Sequence, residues 1–330
     1  MIFNALKLRL LATAALAFAA AVSPAVAQEW PSKPIRLIVP APPGGISDLV
    51  ARLLAEQLRV NLGQTVVVDN KPGGAAGIAE QALMASPADG YTWMVGPSSV
   101  MSDIPLTVKK PYDVLKTFTY VAEASAMVHV LVANAAFPPN NVNEVLDYAK
   151  RNPRAVNVAN LSVGTRSNLL GEMLREKSGT DMLIVPYKGS GPAMTDLLGN
   201  QVQMTFEVVS NVIPFVKSGK LKALAVASST RSQHLPNVPT FGELGLTDFV
   251  LPHASVGVTV LSSMPKPVVD RIRSAMDKVV HAPKYREALT AQGLEFPQES
   301  SVDQLRQTLA VTSAHNQAII KRLKLKLGSD

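Results

Sequence analysis

Apolar and polar residues follow two kinds of pattern from residue 35 onward. Short runs rich in Val, Ile and Leu predict buried β-strands, at residues 35–39, 65–68, 92–95, 128–133, 156–159, 183–185, 203–207, 221–227 and 254–260. Between them, apolar residues recur at the helical period and predict helices, at residues 47–58, 78–84, 142–150, 166–177, 268–280, 284–292 and 302–324, with another starting near Pro192. This alternation of strands and helices predicts an α/β fold with mixed, mostly parallel sheets.

Glycine is concentrated in the loops that follow the predicted strands, at Gly44-Gly45, Gly73-Gly74, Gly96, Gly164 and Gly189–Gly191. In parallel α/β sheets, ligands bind beyond the carboxyl ends of the strands. Glycine lets the backbone approach a ligand closely, and a helix N-terminus offers unpaired N–H groups and the positive end of the helix dipole. Two interpretations of this pattern stay open: the loops line one anion-binding cleft, or the glycines are ordinary turn residues.

The composition narrows the class of protein. The chain has 330 residues, of which 47% are hydrophobic and 17% are charged. This balance is typical of a globular protein of about two domains. The absence of cysteine excludes disulfides, thiol catalysis, zinc–cysteine sites and iron–sulfur clusters. The aromatic content of 5% leaves few rings to stack on nucleic-acid bases.

The sequence carries no convincing motif of a catalytic or metal site. Residues 263–266 match a Ser-x-x-Lys pattern, but Pro265 disfavours the continuous helical turn that such a pair needs. The five histidines lack metal-ligand spacing. His129 lies in an apolar strand and is interpreted as a satisfied core histidine or a histidine at a crossover between domains, rather than as a general base. These observations do not exclude an enzyme, but no motif indicates one, and we expect no catalytic activity, no metal site and no cofactor.

The first 27 residues have the layout of a cleavable signal peptide. Lys7 and Arg9 precede an apolar run at residues 10–22, Pro24 interrupts it, and residues 25–27 have the small-x-small form that signal peptidases cleave. The alternative is a membrane anchor, which needs roughly 20 apolar residues, more than this run supplies. Cleavage would remove two cations and lower the formal charge from +7 to +5. With no cysteine to carry a lipid, we expect an exported protein of the bacterial periplasm.

Four segments carry a more specific signal when they are taken in order along the chain. They are residues 39–48 (VPAPPGGISD), 70–77 (NKPGGAAG), 186–193 (PYKGSGPA), and 218–226 (SGKLKALAV) followed by 235–240 (LPNVPT). This ordered series resembles the loops of the Bug-type solute-binding proteins, the extracytoplasmic receptors of tripartite tricarboxylate transporters. The resemblance covers nearly the whole mature chain, from Trp30 to the last helix.

The resemblance implies a two-domain periplasmic-binding-protein fold, the Venus flytrap, with two crossover strands. Domain I would comprise residues 28–127 and 251–330, and domain II would comprise residues 128–250. The family's ligands are small organic acids held between the domains. Transferred position by position, the ligand-binding residues would be Pro42, Gly44, Gly45, Asp48, Gly73, Gly74, Ala75, Ser98, Gly164, Thr165, Tyr187 and Gly189. Asp48 would stabilise its own loop or helix N-terminus, and Tyr187 would contact the ligand or pack as a core ring.

Four positions depart from the family pattern and bear on the ligand. Ala41 stands where an aromatic residue is frequent, which would widen the pocket for a bulkier acid, aromatic acids included. Asn168 replaces a histidine, and Glu207 replaces a frequent Asp, where it would select a ligand amine or hydroxyl or brace its loop. Arg166 would hold a second carboxylate if it points inward, and would be a solvent-facing arginine otherwise.

Taken together, the sequence favours a monomeric periplasmic receptor that captures a mono- or dicarboxylate. It would deliver this ligand to the membrane permease subunits of a tripartite tricarboxylate-type transporter. Two other hypotheses stay open: the same binding event reports to a sensor kinase, or the fold carries a secreted hydrolase. No nucleic-acid partner is expected, because the basic residues are scattered along the chain.

Overall fold

The computed structural model describes residues 30–161, 165–187, 189–251, 254–297 and 300–325. The chain divides into the segment Met1–Lys33 and one compact body, Pro34–Asp330, which contains every element below. Its strands are β1 (Ile35–Val39), β2 (Val66–Asn70), β3 (Thr92–Pro97), β4 (Phe118–Met127), β5 (His129–Asn134), β6 (Asn157–Asn160), β7 (Leu183–Pro186), β8 (Met204–Val208), β9 (Leu221–Val226) and β10 (Ala254–Leu261). The predicted signal peptide, residues 1–27, lies outside the described residues.

The helices lie between these strands and after β10. They are α1 (Ile46–Leu62), α2 (Gly77–Met84), α3 (Ser99–Ser102), α4 (Ile104–Thr107), α5 (Val114–Thr117), α6 (Val142–Arg151), α7 (Arg166–Ser178), α8 (Ser190–Leu198), α9 (Val209–Lys217), α10 (Lys266–Val280), α11 (Pro283–Ala291) and α12 (Val302–Arg322). A 3-10 helix spans Thr247–Phe249. Within the described ranges, no helix combines the length and the apolar character that a membrane span requires.

The strands form two five-stranded sheets, of order β2-β1-β3-β10-β4 and β7-β6-β8-β5-β9. In the first sheet β1 is parallel to β2 and β3, whereas β10 is antiparallel to β3 and β4. In the second sheet β6 is parallel to β7 and β8, whereas β5 is antiparallel to β8 and β9. Four strands of each sheet therefore run in one direction and one runs against them. The predicted mixed, mostly parallel α/β fold is confirmed.

The antiparallel strand of each sheet is the one with which the chain arrives from the other sheet. β4 ends at Met127 and β5 begins at His129, so only Val128 separates a strand of the first sheet from a strand of the second. The return connection runs from the end of β9 at Val226 to the start of β10 at Ala254. The chain thus passes between the sheets twice, and the first passage is nearly a continuous extended strand.

Helix α1 shows how local sequence sets an element. Val50, Leu54 and Leu58 recur every four residues and are fully buried, so one face of the helix packs on the protein interior. The helix ends at Gly63, whose φ of 64° is in the left-handed region that glycine adopts without a steric penalty. The backbone N–H of Gly63 donates to the carbonyl of Arg59, which satisfies one of the last helix carbonyls.

The last helix, α12, packs on the cores of both sheets. Ser301 begins it with a capping box, which satisfies two backbone N–H groups at the N-terminus. Leu309 joins the apolar cluster that contains Phe118 of the first sheet. Ile319, about three turns later, joins the cluster that contains Phe206 of the second sheet. A single helix therefore connects the two sheets in addition to the two chain passages.

Strand β4 and helix α9 are the longest elements that were not predicted from the sequence; the short helices α3, α4 and α5 and the 3-10 helix were not predicted either. Strand β4 contains Thr119, Glu123 and Ser125 among its apolar residues, so it lacks the continuous β-branched run that marks the other strands. Helix α9 follows β8 without a loop and contains Pro214, a residue that usually ends a helix. Both elements form because their apolar side chains are buried in the tertiary structure, which overrides local propensity.

Candidate ligand-binding site

A cavity of about 520 Å³ lies where strand ends of both sheets meet the N-termini of helices. It opens beyond the carboxyl ends of β3 and β8, the position at which α/β sheets bind ligands. The lining residues are Ala75, Pro97, Ser98, Ser99, Asp103, Ile104, Val108, Met127, His129, Leu161, Thr165, Arg166, Ser167, Glu207, Val208 and Ala254. Five of the residues singled out from the sequence are among them: Ala75, Ser98, Thr165, Arg166 and Glu207.

Arg166 places a positive charge in the cavity wall. It is the first residue of α7, which begins here because the Thr165 hydroxyl caps the helix by accepting a hydrogen bond from the Asn168 backbone N–H at 3.3 Å. Arg166 is only 7% exposed, so it is buried rather than solvent-facing. Burial lowers its pKa, and the negative charge of Asp103 acts in the opposite direction. An arginine remains protonated at neutral pH, so the wall carries a cation there.

Asp103 lines the same cavity and lies between α3 and α4, in the part of the chain that connects two strands of the first sheet. Its Oδ1 accepts hydrogen bonds from the Ser102 hydroxyl at 2.9 Å and from the Asn316 side-chain amide at 2.7 Å. Asn316 belongs to α12, so the last helix holds this carboxylate in place. No local pattern in the sequence points to Asp103, because its partner Asn316 is more than two hundred residues away along the chain.

Glu207 lies at the carboxyl end of β8 and is 1% exposed. Its Oε1 accepts hydrogen bonds from the Val208 backbone N–H at 2.7 Å and from the Asn211 side-chain amide at 3.1 Å. Its Oε2 accepts one from the Ser190 hydroxyl at the start of α8. Burial raises the pKa of Glu207 above its ordinary value, and the three hydrogen bonds lower it by a smaller amount. The residue both lines the cavity and braces the loop before α8.

His129, the first residue of β5, lines the cavity and is 9% exposed. Its Nδ1 is buried and has no hydrogen-bond partner among the described residues. Its place at the start of β5, directly after the passage between the sheets, agrees with the expectation of a crossover histidine, while its Nδ1 is not satisfied by a described residue. Burial, together with the positive charge of Arg166, lowers its pKa to about 3, so the ring is neutral at pH 7.

The first glycine-rich loop is organised around Asp48. Its Oδ2 accepts hydrogen bonds from the Gly44 backbone N–H and from Nε of Arg52, both at 2.9 Å. The side-chain amide of Asn70 donates to Oδ1 of Asp48 and to the Ala41 carbonyl, both at 3.0 Å. The hydrogen bond from Arg52 is the main cause that lowers the pKa of Asp48 to about 2, against the opposing effect of burial. The carboxylate thus ties the first two predicted loops together.

The cavity wall does not include several residues expected from the sequence: Ala41, Pro42, Gly44, Gly45, Asp48, Gly73, Gly74, Asn168, Tyr187 and Gly189. The Tyr187 hydroxyl donates to Asp196 at 2.7 Å, and its ring packs on the apolar cluster of the second sheet. Gly164 lies outside the described residues. A ligand contact by any of these residues stays a prediction.

Ala75 is the residue of the second glycine-rich loop that lines the cavity. The buried ion pair between Lys110 and Glu80 holds it in place. The φ of Ala75 is 48°, in the left-handed region. The Lys110 ammonium donates to the Ala75 carbonyl at 2.7 Å and to Oε2 of Glu80 at 2.6 Å. The Tyr112 hydroxyl donates to the same Glu80 oxygen at 2.7 Å. The Lys110 and Glu80 side chains are 7% and 0% exposed, so this polar cluster is part of the interior.

The comparisons with known proteins agree with this architecture. The family model of the tripartite tricarboxylate transporter family receptor matches residues 50–325. BugT of Bordetella pertussis is 35% identical over 297 residues, which cover 89% of this chain and 90% of BugT. The chain belongs to the tripartite tricarboxylate transporter receptor family. The resemblance drawn from the four loop segments is confirmed.

Several solved structures of similar sequence share the fold. The periplasmic binding protein BugD is 33% identical, with a TM-score of 0.75 over 90% of this chain and 99% of BugD. MatC of Rhodopseudomonas palustris, solved with bound malate, is 28% identical, with a TM-score of 0.73 over 88% of this chain and all of MatC. A second R. palustris protein, solved with adipate, is 26% identical, with a TM-score of 0.78 over 90% of this chain and 99% of that one. The expected two-domain periplasmic-binding-protein fold is confirmed.

Proposed function

We propose that this receptor binds a small organic carboxylate in the cavity lined by Arg166. The observation that carries the proposal is the buried guanidinium in the wall of a cavity that both sheets line. A buried arginine is the side chain best suited to a carboxylate, since its planar fork donates two parallel hydrogen bonds. MatC with malate and the R. palustris protein with adipate support the ligand class, because both ligands are carboxylates.

The receptor would act by closing around its ligand. We propose residues 28–127 and 251–330 as domain I and residues 128–250 as domain II, after export directed by a signal peptide at residues 1–27. The passage through Val128 would serve as a hinge, since hinge motions are absorbed by a few residues between rigid elements. The ligand and the membrane permease of a tripartite tricarboxylate-type transporter would both favour the closed state, which couples capture to delivery. The ligand would leave chemically unchanged.

Calorimetry on the mature protein tests the binding step. Aliphatic and aromatic mono-, di- and tricarboxylates are titrated into protein that has been unfolded, dialysed and refolded to remove any ligand acquired during expression. We expect at least one acid to bind, and Arg166→Gln to weaken it by roughly 10- to 100-fold, the range for loss of a charge-assisted hydrogen bond. Arg175→Gln is the matched control, because Arg175 lies on the same helix with a half-exposed side chain paired to Glu172.

The outcomes separate the proposal from its alternatives. Binding that is equally strong in Arg166→Gln and in the wild type would remove Arg166 from the site. Absence of binding by every acid would reject the carboxylate receptor, and hydrolysis of an ester analogue by the wild type would replace it with an enzyme. For the delivery step, we expect uptake of the labelled acid into vesicles containing the permease to require this protein. Ligand binding without stimulated uptake would favour a sensing role.

A further inference from the structure

One carboxylate oxygen in the cavity wall is open to a ligand. Asp103 lines the cavity, and its Oδ1 accepts hydrogen bonds from Ser102 and Asn316. Its Oδ2 has no hydrogen-bond partner among the described residues, since the side chain does not cap the helix α4 that follows it. The described polar atoms that are both fully buried and without a partner do not include this oxygen, so it remains accessible from the cavity.

The other acid of the described wall differs in this respect. Oε1 of Glu207 accepts hydrogen bonds from Val208 and Asn211, and Oε2 accepts one from Ser190. Both oxygens of Glu207 are thus already bonded within the second sheet and its helices. Asp103 is the acid of the wall that keeps an unoccupied oxygen for a bound molecule.

A ligand that fills the cavity changes the surroundings of this oxygen. Before a ligand enters, water can donate to Oδ2 of Asp103. A bound ligand displaces that water, and a carboxylate oxygen that is cut off from water without a new donor is costly. The neighbouring wall residues Pro97, Ile104 and Met127 carry no side-chain donor that could replace the water. The ligand therefore has to bring a hydrogen-bond donor of its own to Asp103.

The charges of the wall indicate which donor fits. The negative charge of Asp103 acts on Arg166, so the two charges partly offset each other. A ligand carboxylate on Arg166 adds a second negative charge, and the described lining residues include no second lysine or arginine. Hydroxyl side chains such as Ser98 and Ser99 can donate to further ligand oxygens, so the number of ligand carboxylates stays open. They bring no positive charge, however, and the excess negative charge is balanced only by a cation on the ligand.

We infer that Asp103 binds a protonated amine of the ligand while Arg166 binds its carboxylate, so that the preferred ligand is an amino acid. An ammonium group satisfies both requirements of Asp103, because it donates a charge-assisted hydrogen bond and supplies the missing positive charge. A ligand hydroxyl would occupy the oxygen and leave the charge unbalanced. This inference rests on the proposed carboxylate receptor and narrows its class of ligand.

Calorimetry with acids that share a carbon skeleton tests the inference on the refolded mature protein. The series are butyrate, 2-hydroxybutyrate and 2-aminobutyrate; 3-phenylpropionate, 3-phenyllactate and phenylalanine; and glutarate, 2-hydroxyglutarate and glutamate. In at least one series, we expect the amino acid to bind about tenfold or more tightly than the unsubstituted acid, the range for a hydrogen bond to a charged group. The hydroxy acid of that series should bind less tightly than the amino acid.

The variant Asp103→Asn distinguishes recognition of the ligand from support of the fold. It keeps an oxygen for Ser102 and Asn316 but loses the charge, so the amino acid should bind about tenfold less tightly. The unsubstituted acid should bind as tightly as before or up to about fivefold more tightly, because a negative charge near it is gone. A merely structural role would weaken both ligands together. Asp270→Asn, in an exposed pair with Lys266, is the control and should change neither affinity.

A measurement on the wild type keeps the test decisive if Asp103→Asn fails to fold. The advantage of the amino acid over the unsubstituted acid should disappear as the pH rises through the pKa of the ligand's own amine, while Arg166 keeps its charge. Equal affinities for amino and unsubstituted acids in all three series, parallel losses in Asp103→Asn, or an advantage independent of pH would overturn the inference while leaving the carboxylate receptor intact. Absence of binding by these acids and by the wider carboxylate panel would overturn the receptor itself.

Discussion

Two buried carboxylates, Asp48 in the first glycine-rich loop and Glu207 in the cavity wall, behave in opposite ways. Both are less than 4% exposed. The pKa of Asp48 is lowered to about 2, chiefly because Arg52 donates to it. The pKa of Glu207 is raised, because burial outweighs the hydrogen bonds that it accepts. The difference lies in the partners: Asp48 has a cation beside it, whereas the donors to Glu207 are a backbone amide, a side-chain amide and a hydroxyl.

This contrast distinguishes Asp48, a buried charge that stabilises the fold, from Glu207, a buried carboxyl group in the wall of the cavity. The lowered pKa of Asp48 means that its ionised form stabilises the fold above about pH 4 and that this contribution is lost as the pH falls through about 2. The raised pKa of Glu207 has the opposite sign: its contribution is fully present below the unfolded value of about 4.5 and is lost as the pH rises through the higher folded value. Burial alone therefore does not mark a binding residue.

The ion pair between Glu80 and Lys110 is a second case of a buried charge that stabilises the fold. Replacing Lys110 should give the largest effect of the substitutions discussed below. Lys110→Met leaves the Glu80 carboxylate buried, with the Tyr112 hydroxyl as its remaining donor in this cluster of described residues. We expect the free energy of unfolding to fall by about 3 kcal/mol or more, since an unpaired buried charge is the costly outcome. Urea unfolding followed by circular dichroism measures it.

Two further variants show whether the unpaired charge is the cause. The double variant Glu80→Gln/Lys110→Met removes both charges and should recover a clear part of the lost stability. Lys116→Met is the control, because Lys116 is 85% exposed and its pair with Asp113 should be worth less than about 0.5 kcal/mol. A double variant less stable than Lys110→Met would show that the two side chains matter for packing rather than for charge.

Replacing Asp48 should have a smaller effect that depends on pH. Asp48→Asn weakens the bonds from Gly44 and Arg52, and we expect a loss of about 1 kcal/mol at pH 7, because the partner Arg52 is half exposed to water. The difference from the wild type should shrink as the pH is lowered from 5 towards 2, where the wild-type carboxyl itself becomes protonated. Asp270→Asn, in an exposed pair with Lys266, is the control. A difference that stays constant with pH would assign the loss to geometry instead of charge.

The sequence predicted the elements better than it predicted the cavity. Helix α1 follows from a four-residue apolar spacing and a glycine at its end, both of which are local signals. The ordered loop motifs identified the family, because four segments in series are specific where each alone is not. The places of Asp103 and His129 in the cavity wall were not predicted, because they depend on residues distant in the chain, such as Asn316 for Asp103 and Arg166 for His129. Residues of the first loop were expected in the wall, yet the Asp48 carboxylate is occupied by donors from Gly44, Arg52 and Asn70.

Replacing Glu207, the carboxylate in the cavity wall, should give the smallest effect. Glu207→Gln keeps an oxygen for the Val208 and Asn211 donors, and the Ser190 hydroxyl can turn to accept from the new amide, so the fold should be retained. An ionised Glu207 opposes an anionic ligand, and at an effective dielectric of about 20 this repulsion is on the order of 1 kcal/mol. We therefore expect Glu207→Gln to bind the preferred acid roughly fivefold more tightly at pH 7.

The pH dependence of the affinity tests whether the charge of Glu207 causes this difference. In the wild type, binding of an anion should strengthen as the pH falls through the raised pKa of Glu207, because the protonated side chain no longer repels the ligand. In Glu207→Gln the affinity should be nearly flat between pH 5 and 8, where Arg166 keeps its charge. Glu56→Gln, on an exposed residue of α1, should follow the wild-type curve. A wild-type affinity that does not change with pH would mean that Glu207 is already protonated at pH 8 or lies too far from the ligand to sense its charge.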